Sequence, residues 1–529
     1  MSMKQIRLNQ VGYEPKAGKR AVVCGATETS YMVRNRSTGE VVLEGTLEGP
    51  FENVSAGEQN YVADMSSVTI PGEYVICVGE AEANFTVGEH IYEKLYYQSL
   101  RFFYLQRCGC RLPEELAGDY AHEVCHDTPA RVFGSDVTMD VKGGWHDAGD
   151  YGRYVVPAAV TVATLLLAYD KNRKAMGIRL DIPESGGAMP DLLNEVKYEL
   201  DWMLRMQDPA TGKVYHKVTC ASFPDFVMPE FETEELILSP PSVTAGATFA
   251  ACMAMCAPYY ENYNEGFSKT MLQAAQKAYA AIKEMQLPGG FLNPEGIVTG
   301  EYGDANDRDE RYWAAAALYK ATGRREYRDD FEALAEEQMM HGYGWADVGT
   351  FGNLAFLSCE HPKNEELAGR IRASIIELAD HYLANVQADS YAVGVDTYHW
   401  GSNYYCAQVG NHLYDAYELT GEEKYRAAAE EQLHYLLGKN PNGYCYVSGF
   451  GTVRPEHPHH RPSGAAGRAM PGMLAGGPCE WLADPDAAAH CTGNPPAKCY
   501  IDLLGSYSTN EVTIYWNAAM LYLMAEITE

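Results

Sequence analysis

The sequence predicts a multidomain chain, a small all-β sandwich followed by an all-α body. Three observations carry this. Short runs of β-branched and aromatic residues, each bounded by turn residues, crowd the first 88 positions. Apolar residues spaced by three and four dominate after residue 92. The 529 residues also exceed what one ordinary core organises. The expected domains are residues 1–88 and 92–529.

The β-rich runs are Gln5–Leu8, Ala21–Cys24, Tyr31–Arg34, Val41–Gly45, Tyr61–Met65, Tyr74–Val78 and Asn84–Val87. Turn signals such as Ser37-Thr38-Gly39 and Pro71-Gly72 separate them. Seven short strands in under a hundred residues suit a small sandwich.

Helical patterns follow at 92–107, 152–169, 189–206, 243–260, 267–285, 308–322, 325–340, 349–358, 364–386, 402–420, 422–437 and 511–527. Leu192, Val196, Leu200, Met203 and Leu204 illustrate the spacing. Twelve helices joined by long loops can close a ring of six helical hairpins. Residues 438–510 carry little helical period but many Gly, Pro, His and Tyr. A long loop region with that aromatic content and low charge density reads as functional rather than disordered.

The net charge of −31 argues against nucleic acid and anionic membrane partners and suits a neutral substrate. Met1–Val11 lacks the apolar core of a signal peptide, so a cytoplasmic protein is expected, or a secreted one if a signal was trimmed. The apolar stretch Tyr154–Tyr169 is too short to span a bilayer. Fourteen cysteines scattered over a long chain read mostly as buried thiols, such as Cys252 and Cys256 on one helix face.

Three segments carry chemistry. Residues 143–154 read Gly-Gly-Trp-His-Asp-Ala-Gly-Asp-Tyr-Gly-Arg-Tyr. Asp147 and Asp150, three apart in a glycine-rich stretch, suit proton transfer or water activation. Trp145, Tyr151 and Tyr154 offer flat faces on which sugar rings stack. A loop whose aspartates only make turns or cap the next helix is the plainer alternative. Pro458-His459-His460-Arg461-Pro462 is a proline-bracketed loop whose imidazoles and guanidinium can bind hydroxyls. The third segment is Asp502–Val512, where Glu511 opens the last helix. A glutamate there is commonly a dipole partner. The apolar face that follows would raise its pKa, as a general acid needs.

These segments, in this order, resemble glycoside hydrolase family 9. Asn9-Gln10-Val11-Gly12-Tyr13 and Pro71-Gly72-Glu73-Tyr74 resemble the immunoglobulin-like domain of one branch of it. Met206-Gln207-Asp208, Val214-Tyr215-His216-Lys217-Val218, Trp400-Gly401-Ser402-Asn403, Asn440-Pro441 and Ser448-Gly449-Phe450-Gly451 fit as well. The resemblance covers essentially the whole chain. It implies an (α/α)6 barrel and inverting hydrolysis of β-1,4-glucans. It makes Glu511 the general acid and Asp150 the general base, with Asp147 helping to hold the same water. Acid and base of an inverting enzyme stand about 6.5–9.5 Å apart. His459 and Arg461 would hold the sugar beside the cleaved bond and Trp516 would lie near it. Trp145, Tyr215, His216 and Trp400 complete the expected substrate contacts. Ser506 and Tyr515 depart from the family pattern, which leaves the exact glycan open.

Cys108, Cys125, His126 and His146 offer the donors of a closed tetrahedral zinc site, though not at zinc-finger spacing. Separate buried thiols are the reading from the residues alone. The resemblance implies a structural zinc there, with Cys110 as rival to Cys108. Asp304, Asp307, Asp309 and Glu310 form an oxygen-rich cluster at a helix start. The resemblance implies calcium, with Asp347 from the next hairpin. No organic cofactor and a monomer are expected.

The function expected is therefore endo-type hydrolysis of β-1,4-glucans. One alternative is exo action on cello-oligosaccharides or a related β-glycoside. A non-catalytic glycan-binding protein is the alternative from another class. The small β-domain is expected to stabilise the barrel rather than bind substrate.

Overall fold

A computed structural model describes residues 5–285 and 290–528. The described residues fall into two compact units, one joining the N-terminal residues through Phe102 to Ile376 and beyond, the other spanning Phe103–Ile375.

In the first unit, eight strands build the sandwich: β1 Gln5–Arg7, β2 Arg20–Cys24, β3 Ser30–Asn35, β4 Val41–Thr46, β5 Glu48–Asn53, β6 Glu58–Asp64, β7 Gly72–Val78 and β8 Ala81–Val87. The two antiparallel sheets run β1-β2-β6-β5 and β4-β3-β7-β8. Alternation places Val23, Tyr31, Val33, Ala63, Tyr74, Ile76 and Phe85 between them. Strand β5 escapes sequence reading because Pro50 and its exposed, acidic residues do not look like a strand.

The sandwich is tied to the helical part of the same unit by buried polar contacts. Gln10 N donates to Leu437 O at 2.9 Å, Asn53 Nδ2 to Asp389 Oδ2 at 2.8 Å, and Lys498 pairs with Glu58 at 2.5 Å. Helices Ser402–Thr420, Glu423–Leu436 and Ile514–Ile527 pack together there. The last is buried on every side, as a helix so largely apolar must be, and it buries Asn517 and Glu526 as well. Gly410 lets it approach closely, since a Cβ there would lie 2.6 Å from Leu523.

In the second unit, helix Val243–Tyr260 is likewise buried all round and packs against Val155–Lys171, Glu265–Lys283 and Arg308–Thr322. Helix Glu265–Lys283 buries one stripe, including Met271, Ala275, Ala278 and Ile282. Ser242 caps the inner helix by accepting from Ala245 N at 3.0 Å.

All twelve expected helices are present, with ends shifted by a few residues. Three features differ from expectation. Five short strands (Ala130–Val132, Thr138–Met139, Arg153–Tyr154, Lys217–Thr219 and Ile237–Leu238) form a small sheet beside the helices. Residues 438–510 are not structureless but hold short helices at Arg461–Ala466 and Pro485–Cys491. And Glu511 does not open the last helix. That helix begins at Ile514, because Thr513 is the cap whose Oγ1 accepts from Trp516 N at 3.1 Å. Glu511 instead lies in extended backbone. Among the described residues no helix is long and apolar enough to cross a membrane.

Candidate active site

The loop before helix Val155–Lys171 is clamped from both sides. His146 N donates to Gln106 O and Cys108 N to Gly144 O, each at 2.7 Å. Gln106 Nε2 returns to the carbonyls of His146 and Ala148. Gly144 is required: its φ is +80°, and a Cβ would stand 2.7 Å from the Trp202 ring. The loop folds back on itself through Asp147 N to Gly152 O at 3.0 Å.

That turn brings Asp147 and Asp150 together inside the protein. Asp150 Oδ2 accepts from Tyr154 Oη at 2.8 Å and from Gly152 N at 3.1 Å. Asp147 Oδ2 accepts from the Tyr302 hydroxyl, while among the described residues its buried Oδ1 has no hydrogen-bond partner. Burial, with Asp150 adding to it, holds the Asp147 carboxyl well above the usual carboxylate range. Lys217 lies beside the pair, donating to Gly300 O at 2.6 Å and Thr299 Oγ1 at 3.0 Å. Burial pushes its ammonium down to about 8, against the opposing pull of Asp150.

Aromatic residues of this loop do not act as expected from sequence. Trp145 is 1% exposed; its N donates to Glu199 at 2.5 Å and its indole Nε1 to Glu195 at 2.8 Å. It anchors the loop and presents no face to a sugar. Tyr154 and Tyr151 are buried too, the first serving Asp150 and the second donating to Val227 O. His216 is fully buried between Ser242 Oγ and Glu301 O and stacks on Phe291 at 3.7 Å, so its ring is engaged by protein. Tyr215 is half-buried, its N bonded to Met206 O. Sequence reasoning missed Tyr302. It stands in the left-handed region at φ 46°, which no residue type there signals.

In the other unit, Glu511 is held by its backbone. Gly476 N donates to Glu511 O at 2.8 Å, and His459 N to Asn510 O at 2.9 Å. His459 Nδ1 bonds Leu504 O at 2.7 Å; a carbonyl only accepts, so this nitrogen carries the hydrogen. Arg461 starts the short helix Arg461–Ala466 and is buried. Trp516 is 3% exposed, wedged against Gly401 and Gly476, and so packs rather than faces solvent. Trp400 is exposed, its ring 5.3 Å from that of Tyr507. Ser506, a departure from the family pattern, donates to the buried Asp484 carboxylate at 3.0 Å.

Two groups have the geometry of cation sites. Cys108, Cys125, His126 and His146, all buried, bring their ligand atoms within 4.8 Å of one another; Cys110 is outside the group. Among the described residues His126 Nδ1 makes no hydrogen bond of ordinary geometry, with the Cys108 thiol its near neighbour, while Nε2 bonds Glu232 at 2.8 Å. That leaves one nitrogen for a ligand bond and orients the ring through the other. Burial opposes ionisation of Cys108. The hydrogen bond from Cys125 and the charges of Arg153, His146 and His126 nonetheless hold its thiol well below the usual range.

Asp304, Asp309 and Glu310 form the second group. Among the described residues Asp304 Oδ2, Asp309 Oδ1 and both Glu310 oxygens are buried without a hydrogen bond from a donor group, Glu310 meeting the Asp309 carboxyl instead, a set that fits a hard cation. Burial pushes Asp309 up to about 7. Asp307 and Asp347 stand close enough for their charges to act on Asp304, but outside the tight group. Asp307 pairs with Arg311 at 3.0 Å, one helical turn on, and Asp347 accepts from Gly349 N at 2.9 Å.

Paired buried carboxylates in a rigid glycine-rich loop are the equipment of an enzyme that moves protons to and from water. Comparison with known proteins makes the class specific. Residues 92–524 match the model of glycosyl hydrolase family 9, and residues 2–83 that of the cellulase N-terminal ig-like domain. The chain belongs to glycoside hydrolase family 9, as an immunoglobulin-like sandwich followed by an (α/α)6-barrel hydrolase. It is 36% identical to a cellodextrinase of Butyrivibrio fibrisolvens, over the full length of both chains. It is 34% identical to endoglucanase D of Acetivibrio thermocellus, over 98% of this chain and 83% of that one. A single mutant of a thermostable endoglucanase from Alicyclobacillus acidocaldarius superposes with a TM-score of 0.94 at 37% identity, covering 99% of both chains. A Zn-binding triple mutant of the family 9 endoglucanase J30 superposes with a TM-score of 0.91 at 31% identity, covering 98% of this chain and 99% of that one.

Proposed function

We propose that this chain hydrolyses β-1,4-glucosidic bonds of cellulose-like glucans with inversion at the anomeric carbon. The observation that carries the reading is the pair Asp147 and Asp150, buried in one rigid loop. Asp150, receiving hydrogen bonds from Tyr154 and Gly152, is positioned to take a proton from water. Asp147 holds that water through Oδ1, the oxygen to which the protein donates nothing. Glu511 gives its proton to the leaving glycosidic oxygen. His459, Arg461 and Trp400 are the proposed sugar contacts.

A second reading, exo action on cello-oligosaccharides, is favoured by the likeness to a cellodextrinase along the full length of both chains. One experiment addresses both readings. Proton NMR of fresh products from cellotetraose and cellopentaose is expected to show the α-anomer first at the new reducing end. An initial β-anomer would overturn the role of Asp150. Product sizes separate internal from terminal cleavage.

The metals are proposed on the same footing. Zinc fits Cys108, Cys125, His126 and His146, and would fix His146 and with it the backbone of Asp147. Calcium fits Asp304, Asp309 and Glu310. Adding calcium to metal-stripped protein is expected to raise the melting temperature by about 5 °C, and an unchanged melt would remove that assignment. We take residues 1–88 as a stabilising domain and 92–529 as the catalytic one. The support is the set of polar ties from Gln10, Asn53 and Glu58 to the helical part.

A further inference from the structure

Trp481 is the most exposed tryptophan among the described residues, at 65%. Exposing so large an apolar face costs solubility, and such faces mark binding sites when they are held rigidly. This one is. Glu480 N donates to Tyr398 O at 2.7 Å, and the Tyr507 hydroxyl donates to Ala483 O at 2.8 Å. Three residues on from Trp481, the buried Asp484 carboxylate accepts from Ala487 N, Ser506 Oγ, Ser508 N and Ser508 Oγ. Both serines belong to the segment that leads directly into Glu511. The loop that carries Trp481 is therefore locked to the backbone that carries the proposed acid.

The ring also continues a row. His459 stands 5.9 Å from Tyr507, and Tyr507 stands 5.3 Å from Trp400. The neighbouring His399 faces Trp481 at 5.7 Å, with 31° between the planes. His399 is itself fixed, its Nδ1 donating to Trp400 O at 2.9 Å. These aromatic side chains run from His459, which bridges to Glu511 through its backbone, out to the exposed Trp481, so a ligand reaching Trp481 from the acid spans more than one sugar ring.

We infer that Trp481 is an outer glucan-binding platform, against which a sugar unit remote from the cleaved bond stacks, so that it selects for longer chains. This rests on the β-1,4-glucan reading above. Stacking on an aromatic side chain is worth about tenfold in binding for other flat ring ligands. It acts equally on substrate and transition state, so its loss raises KM and spares kcat.

The test compares wild type, W481A and W481F on cellotriose and cellohexaose. W481A is expected to raise KM for cellohexaose about tenfold with kcat and the melting temperature unchanged. It should leave kcat/KM for cellotriose within twofold, and W481F should restore most of the loss. Equal cellohexaose kinetics in wild type and W481A would overturn the platform while leaving the glucanase reading standing. Equal losses on both substrates would also overturn it, since an outer platform cannot act on the short one. If wild type turned over neither, the glucanase reading would fall and the platform with it.

Discussion

Glu511→Gln is expected to lower kcat on cellopentaose by about three orders of magnitude, within the range for losing a positioned acid or base. The amide keeps the shape of the side chain and its place in the extended strand beside His459. It cannot deliver a proton. The discriminating control is a substrate whose leaving group needs none. On an aryl β-cellobioside with an acidic phenol, the same variant should lose far less. Asp150→Asn, by contrast, should lose activity on both substrates, because the attacking water still needs its base. If Glu511→Gln stayed within about tenfold of wild type on cellopentaose, the assignment of the acid would be wrong. A wild type that binds these glucans without cleaving them would identify a binding protein instead.

Removing zinc is expected to have the largest effect on stability. The four donors are buried, and among the described residues His126 Nδ1 makes no hydrogen bond of ordinary geometry. Without a metal these groups remain desolvated and incompletely paired, which costs more than leaving them in water. Exhaustive chelation under mildly destabilising conditions is expected to lower the melting temperature by at least about 5 °C. Cys125→Ser should reproduce the shift and reduce bound zinc well below one equivalent. Cys252→Ser should leave the zinc content unchanged, because Cys252 pairs with Cys256, 3.8 Å away on the same helix, and lies outside the cysteine–histidine group. Activity should fall along with the metal, since His146 adjoins Asp147 in the clamped loop. Protein that carries no zinc when purified, and melts identically after chelation, would leave four ordinary buried side chains.

The polar anchoring of the catalytic loop shows where residue-by-residue reading stops. Trp145, flanked by glycines and by Asp147, looks like a sugar platform in sequence. Its indole is committed instead to Glu195, which itself pairs with Arg107 at 2.9 Å. Glu195 and Glu199 lie one turn apart on a helix about fifty residues downstream, and nothing local announces that they face this loop. His216 and Trp516 were likewise assigned to sugar by motif, yet packing encloses both. Asp307 shows the same lesson at the calcium group. It sits one turn before Arg311 and pairs with it, while its charge still acts on Asp304 of the cluster.

Periodicity and turn chemistry, which are local, were enough to place twelve helices, seven of the eight sandwich strands and the order of the domains. Motif chemistry singled out the paired aspartates, while the cysteine–histidine set and the role of Glu511 came only with the family resemblance. What required the tertiary structure was which face each side chain turns and which distant group it meets. Burial decides that Trp145 anchors while Trp481 is presented to solvent. A capping hydroxyl on Thr513, not the glutamate, sets where the last helix starts. A backbone at positive φ aims Tyr302 at Asp147. These outcomes depend on desolvation and on contacts between residues far apart in sequence, and so they are settled only when the chain closes on itself.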